Sequence, residues 1–467
     1  MSSRLPKGWT SIRLGNLGAW KGGGTPSKAR ADYWENGTIP WVSPKDMKVA
    51  VVRDAEDRIT EGAIAGSSTS VIEAGAVLVV VRSGILRHTL PVAVTAVDVA
   101  LNQDMKALAP SGAASPEYVV WALGRFEPQI LHRCTRTGTT VQNIAFPMFS
   151  DFEIPLPPLA AQRRIVAAIE EHLSRLDAAV AGLERVQAVL PRYRAAVLKA
   201  AVEGRLDAES SAVGRRGKRA GGSNEVTMGE IGLEGPRSLI IGPFGSNLKV
   251  SDYRNSGVPL VFVRNIRAAS FGGEGTRYVS KSKAHELAGH QVLPGDVFVT
   301  MMGVPPGDAC VFPSEAAPAI VTADCIRIRP NLDLVSAQYL VNAIRSEPVR
   351  RQILDATRGV AQLKVSLERF RSIRITLPPL KLQEMIVEEL ERSESVIEAA
   401  GGAVDVALMR AGSLRQSILA RAFRGELVPQ DPNDEPAEVL LERIRAERAG
   451  VVPVRRAPRR KKVAGKK

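Results

Sequence analysis

The residues best able to hold a metal or move a proton are five histidines, His88, His132, His172, His285 and His290, and they are scattered. No His-x-x-x-His or His-Glu-x-x-His pair occurs, and His285 and His290, beside Glu286, have the spacing of a solvated helix face. Cys134, Cys310 and Cys325 share no short pairing motif, which argues against a disulfide framework and a zinc site alike. No Gly-x-x-x-x-Gly-Lys-Ser/Thr loop is present, so ATP hydrolysis of that kind is unsupported. Gly22-Gly23-Gly24-Thr25 could cradle a phosphate, but no helix signal follows it and it reads as a plain loop. Asp46-Met47-Lys48 ends as a nuclease signature does, yet an acid-x-lysine triplet is too common to carry weight. An adenine methyltransferase needs an Asn/Asp-Pro-Pro-aromatic motif to hold its flipped base. The Pro-Pro pairs here lie in Leu-Pro-Pro-Leu, with no polar group to bond an adenine amino group. Recognition is the chemistry that remains.

The charge distribution narrows it further. The 467 residues carry a net charge of +14, but Arg215, Arg216, Lys218 and Arg219 with the tail from Arg455 to Lys467 supply 12 of it. Basic tails attract nucleic acid without reading sequence. Hydrophobic content of 45% excludes a mainly disordered chain. No run of about 20 residues is continuously apolar, so no membrane span is expected. Met1-Ser2-Ser3-Arg4-Leu5-Pro6 runs straight into Lys7-Gly8-Trp9 without an apolar signal region, and the expectation is a reduced, cytoplasmic protein.

The elements that must position any recognition residues come from an internal repeat. Residues 156–170, LPPLAAQRRIVAAIE, and 377–391, LPPLKLQEMIVEELE, agree at 8 of 15 positions at an offset of 221. The same offset runs without a gap from Phe149/Phe370 to Leu206/Leu427, which identifies a duplication. The repeated stretch is helical by pattern. Spacing 3-4-3-4 from Leu159 gives Gln162, Val166, Ile169, Leu173, Leu176, Val180, Leu183, Gln187 and Leu190, a coiled-coil seam. The second copy gives Leu380, Gln383, Val387, Leu390, Glu394, Ile397, Gly401, Val404, Leu408 and Ala411. A helix from Leu159 to Leu190 would be about 48 Å long, and its natural partner is its own repeat. Pro191 is expected to break the first helix, with Gly412 at the matching place, and shorter helices should then end near Gly204 and Gly425.

Ahead of each helix lie globules rich in Gly, Pro, Val and Thr, with apolar runs such as Ala76–Val81, Val92–Val97 and Val297–Met301 separated by turn signals. They align loosely: Asp32-Tyr33 with Asp252-Tyr253, Pro40-Trp41-Val42 with Pro259-Leu260-Val261, and Lys45-Asp46-Met47 with Arg264-Asn265-Ile266. The fold class is therefore α/β, two mixed α/β domains separated by two long antiparallel coiled-coil regions with pseudo-twofold repetition. The expected boundaries are 1–155 and 226–376 for the globules and 156–206 and 377–427 for the helical regions. Residues 207–225 read as a linker, 428–454 as a helical extension and 455–467 as a basic disordered tail.

This layout resembles the specificity subunit of type I restriction–modification systems. Leu5-Pro6-Lys7-Gly8-Trp9, Gly24-Thr25-Pro26-Ser27, Asp32-Tyr33-Trp34, Ile39-Pro40-Trp41-Val42 and Leu101-Asn102-Gln103-Asp104 look like parts of its target-recognition domain. In the second globule Gly242-Pro243-Phe244-Gly245-Ser246-Asn247-Leu248 and Gly257-Val258-Pro259 are similar, although a Leu-Pro-x-Gly-Trp opener is missing there. The resemblance implies two target-recognition domains, each reading half of a split, asymmetric site in double-stranded DNA. It implies that the helices act as a ruler and as a platform for two methyltransferase subunits, with two separate motor-nuclease (restriction) subunits. It also implies no catalysis and no cofactor on this chain; S-adenosylmethionine, ATP and Mg would sit on the partner subunits.

Base contacts in this family vary with the sequence read, so the candidates rest on side-chain chemistry in polar loops. In the first domain they are Lys21, Thr25, Ser27, Lys28, Ser43, Lys45, Arg82, Ser83, Arg87, Thr139 and Gln142. In the second they are Ser246, Asn247, Lys249, Arg264, Asn265, Arg267, Arg358, Gln362 and Lys364. Arg suits guanine, Asn and Gln suit adenine, and Lys suits phosphate; a surface-solubility role is the plainer alternative for each. A coiled-coil scaffold or adaptor without sequence readout is the competing function, and a free-standing nuclease–methyltransferase is disfavoured by the missing motifs.

Overall fold

The structure is a computed structural model of the chain that describes residues 5–136, 141–203, 205, 224–235, 237–243, 245–267, 270–272, 275–303, 305–357 and 363–450. The expected tail, most of the linker, Gly204, Thr139, Arg358 and Gln362 lie outside the described residues. Two compact units emerge: Met1–Ala181 with Leu408–Lys467, and Gly182–Ala407.

In the first unit a five-stranded sheet has the order Gly18–Gly22, Met105–Pro110, Val77–Val80, Val92–Thr95, Val51–Val52. A four-stranded sheet beside it has the order Asp57–Ile59, Ile39–Val42, Val99–Leu101, Val71–Ile72. In the second unit the orders are Leu239–Ile241, Cys325–Ile328, Val297–Thr300, Ala309–Val311 and Arg277–Val279, Val258–Val261, Ala319–Val321, Gln291–Val292. In these sheets the strands correspond one to one except for the short edge strand Val51–Val52. The sheets that contain Ile39–Val42 and Val258–Val261 are antiparallel but for one central parallel pair each, registered Ala100 with Trp41 and Ile320 with Leu260. Fully buried runs such as Val77–Val80 and Val297–Thr300 fill the larger sheets. The loose alignment of the two globules is thus an alignment of strands and of the turns that follow them.

The helices follow the seam. Leu159–Val202 and Leu380–Phe423 are each 44 residues long. All ten predicted seam positions of the second helix are buried or half-buried, as are nine of ten in the first. Exposed Gln187 is the exception, and its amide donates to Asp405 at 2.9 Å. Each unit holds an antiparallel segment of the pair. In the first unit Asp177 meets Arg415. In the second, Gln187 meets Asp405, Leu190 lies beside Gly401 and Arg194 pairs with Glu394 at 2.6 Å, so one number falls as the other rises.

One expectation is corrected. Pro191 does not end the first helix, which continues to Val202, and the second helix likewise runs through Gly412. Proline removes one N–H and crowds the carbonyl four residues back, at about 3 kcal/mol. Past Pro191 the helix packs Val197, Leu198, Ala201 and Val202 onto the core of the second unit, and burial of several such side chains at about 1.5–3 kcal/mol each outweighs that cost. The second helix ends where glycine was expected to stop it. Gly425 adopts φ +75°, its N–H bonds to Ala422 and the next N–H reaches back to Arg421 at 2.9 Å, a Schellman closure.

Two matched sets of bonds tie each globule to its helix. Fully buried Gln162 accepts from the Ser115 N–H (2.8 Å) and donates to the carbonyls of Ala113 (2.8 Å) and Pro157 (3.0 Å). Gln383 does the same with Ser336, Leu334 and Pro378. Tyr118 and Tyr339 donate to the carbonyls of Pro155 and Thr376, both at 2.7 Å. Every one of these partners sits at the offset of 221, so the duplication extends upstream of the obvious identities. The expected C-terminal extension contains the helix Ala437–Gly450. Among the described residues no helix is long and apolar enough to cross a membrane.

Candidate nucleic-acid interface

In the first unit the polar loops gather round one segment, Leu101–Met105, just past the C-terminal end of the parallel strand pair. Gly24 N–H donates to Leu101 (2.8 Å), and Gly23 packs so closely on Leu101 and Asn102 that a Cβ would meet backbone oxygen at 1.9 Å. Thr25 bonds to Gln103. The Asp104 carbonyl accepts from Val81 (2.8 Å) and Arg82 (3.2 Å), and the strand Arg82–Ser83 pairs with Asn143 and Gln142. Predicted residues Thr25, Arg82, Ser83 and Gln142 are therefore brought together. Lys21 lies exposed on the neighbouring strand opposite Ala107, and Arg87 is exposed in the turn Gly84–Arg87 that follows Ser83.

The loop bearing Thr25, Ser27 and Lys28 is pinned from behind. Trp41 donates its indole N–H to Gly24 at 3.0 Å and Trp34 donates to Ser27 at 3.2 Å, with the two indoles edge to face at 5.1 Å. Ser27 and Lys28 keep their side chains exposed. Holding a loop before its ligand arrives reduces the ordering cost of binding.

Ser43 and Lys45 are differently placed. Ser43 is buried, and its hydroxyl and N–H both donate to Asp46 at 2.9 Å, closing the turn Pro44–Asp46. Lys45 bonds to Asp57 (3.0 Å) and Glu56 (3.1 Å), and these carboxylates raise its pKa above the ordinary lysine value. The geometry gives Ser43 a turn-closing role, while Lys45 reaches out from a pair of acids.

The second unit repeats the plan around Val321–Cys325. Gly242 approaches Val321 so closely that a Cβ would lie 2.3 Å from its oxygen, and the Asp324 carbonyl accepts from Met301 at 2.9 Å. Ser246, Asn247 and Lys249 are exposed around the turn Gly245–Asn247. Arg264 is exposed, with its guanidinium 4.2 Å over Phe262 and donating to Gly275. Asn265 is buried, accepting from Phe262 (2.9 Å) and donating to Gly272 (2.8 Å), the counterpart of the Ser43–Asp46 turn. Arg267 belongs to the short strand Ile266–Arg267, paired with Ser270–Phe271. Lys364 bridges to Met302, and its ammonium is 3.7 Å from Asp324.

Sequence reasoning missed Gln103, Asp104, Asn143 and Asp324. The first two stand in a motif already singled out, Leu101-Asn102-Gln103-Asp104, so a signal existed. Asn143 and Asp324 offered none, because only strand pairing places them. Among the described residues no group of three His, Cys, Asp or Glu side chains is arranged to hold a metal. The faces offer guanidinium, ammonium, amide and hydroxyl groups, the donors that read base edges and phosphates.

Comparison with known proteins gives a consistent result. The family model described as type I restriction modification DNA specificity domain matches residues 6–184 and 283–400. The EcoR124I/EcoR124II specificity subunit of Escherichia coli is 42% identical over 172 residues, 37% of this chain and 43% of that one. This chain therefore spans less than half of that relative's length. The EcoKI specificity subunit of Escherichia coli K12 is 26% identical over 366 residues, 72% of this chain and 74% of that one. The crystal structure of the HsdS subunit from Thermoanaerobacter tengcongensis shares the fold with a TM-score of 0.62 at 20% identity, covering 91% of this chain and 99% of that one.

Proposed function

This chain belongs to the family of type I restriction modification DNA specificity domains, and on that premise we propose that it is the specificity subunit of such a restriction–modification complex. Each unit reads one half of a bipartite, asymmetric target in double-stranded DNA. The two long helices dock two methyltransferase subunits, and two motor-nuclease subunits complete the assembly. The chain supplies the address and performs no chemistry. S-adenosylmethionine, ATP and Mg belong to the partner subunits, and the complex works in the cytoplasm.

The observation that carries this is the repetition of one strand order under two divergent sets of polar loops. Conserved strands with diverged loops are what two readers of different half-sites require, since loops can change chemistry without disturbing the scaffold. A scaffold without readout needs no such divergence. The test is to produce the chain with its methyltransferase subunits and map adenine methylation across a genome. A motif of two specified halves around an unspecified spacer is expected, with DNA binding that weakens steeply as salt rises. Methylation without any motif, or no salt-dependent DNA binding in the assembled complex, would favour the scaffold.

A further inference from the structure

The two faces share a rung whose cation has changed strands. In the first unit the rung is Arg82 opposite Asn143; in the second it is Met302 opposite Lys364. Beside each rung stands an aspartate in the same backbone setting. Asp104 precedes the strand Met105–Pro110 and accepts main-chain N–H bonds from Val81 and Arg82. Asp324 precedes the strand Cys325–Ile328 and accepts one from Met301. The Asp104 carboxylate lies 4.0 Å from the Arg82 guanidinium, and the Asp324 carboxylate lies 3.7 Å from the Lys364 ammonium. Conservation of the acid while its cation moves to the other strand indicates that the carboxylate–cation pairing matters more than the strand that supplies the cation.

The Arg82–Asp104 pair is not placed for structural duty. At 4.0 Å it is an ion pair without a hydrogen bond, and such pairs at a surface add little to stability. Arg82 remains 60% exposed while Asp104 is 24% exposed, so the acid sits behind and the cation in front; in the second pair the order is reversed, with Lys364 36% and Asp324 47% exposed. One oxygen of Asp104 is buried without a hydrogen-bond partner. A buried acceptor left open is an incomplete interaction, and a guanidinium moving inward by about 1 Å would complete it with a normal N–H···O bond. A guanidinium has donors along more than one edge. One edge on Asp104 fixes its plane, and another can then meet guanine O6 and N7.

We infer that Asp104 is a positioning residue for specificity, aiming Arg82 at one base position of its half-site. This rests on the proposed DNA-reading function. The rung discriminates through a two-point contact.

The test uses the complete complex with its methyltransferase subunits and a panel of duplexes in which each specified base of the wild-type motif is changed in turn. Asp104→Asn should reduce discrimination about tenfold at one position in one half, the loss of one well-aimed contact, and leave the other half untouched. Asp104→Glu should restore part of the loss. Arg82→Lys, an exposed change that leaves the fold intact, should relax the same position as Asp104→Asn. The inference is overturned if Asp104→Asn lowers methylation of every duplex equally, or if Arg82→Lys leaves all discrimination ratios at the wild-type value. A wild-type complex with no two-part motif would refute the DNA-reading function itself and the inference with it.

Discussion

Gln162 and Gln383 show how much one side chain can hold. Each closes one N–H and two carbonyls at the junction of globule and helix, and each is fully buried. Gln162→Leu would fill the space but leave three backbone groups without partners, at about 1–3 kcal/mol apiece. We expect a loss of about 3 kcal/mol or more in urea unfolding, and the same for Gln383→Leu; a loss under 1 kcal/mol would mean water replaces the amide. In the second unit Asp296 takes two bonds from Arg329, at 2.9 and 2.8 Å, and faces fully buried Arg327, whose pKa burial pulls down to about 10. Asp296→Asn would leave a buried cation without its anion, and we expect a loss of about 3–5 kcal/mol in the same measurement. None of this was legible along the chain. Both glutamines were read only as seam positions, because two of the three partners of each lie 47 and 49 residues away. Ser43 and Asn265 were candidate readers on side-chain type alone, and type does not say which way a turn residue faces.

At the level of elements the helices were the most legible feature, since a 3-4 spacing kept over several heptads has one physical meaning and the copies corroborated each other. Pro191 was misjudged because a local rule about a missing N–H cannot weigh the packing of Val197 to Val202. It follows that the proline is a strained passenger. Pro191→Ala should restore an N–H to the carbonyl of Gln187 and raise stability by about 1–3 kcal/mol, seen as a higher Tm of the complex. A lower Tm would mean the proline shapes the helix for its partner. The pinned loop makes a second prediction. Trp41→Phe removes the bond to Gly24 while keeping an aromatic ring, so affinity for the half-site that the proposed function assigns to the first unit should fall several-fold, the scale of one hydrogen bond worth about 1 kcal/mol. Titration with duplexes altered in one half at a time would reveal an equal effect on both halves, the outcome that contradicts this. The short strands were legible only as apolar runs; their order required pairings that alternation alone cannot specify.

For the whole molecule, the proposed function with duplication and divergence predicts that the two globules are exchangeable parts. Replacing residues 5–155 with the corresponding domain of a relative should change one half of the methylated motif and spare the other; a change in both halves would contradict modular reading. The first unit has a further property, for it is closed by both ends of the chain. Gly8 accepts a bond from Ala437, Trp9 donates to Gln430 at 2.9 Å, and Arg164 pairs with Asp434. Its core is completed by Ile418, Leu419, Ala422 and Phe423.

That closure has a consequence for synthesis on the ribosome. The 226 residues from Gly182 to Ala407 emerge between the two parts of the first unit, which takes roughly 10–45 s at about 5–20 residues per second. During that interval the globule that emerges first has its strands but not the helix end that covers them. The half that is born first is finished last, and the second unit, contiguous in the chain, matures ahead of it. A nascent chain arrested once Ala407 has left the exit tunnel should therefore resist protease over residues 224–407 while residues 5–155 are cut. The waiting half is where a chaperone would be needed, and where a late truncation would do its damage far upstream of the missing residues.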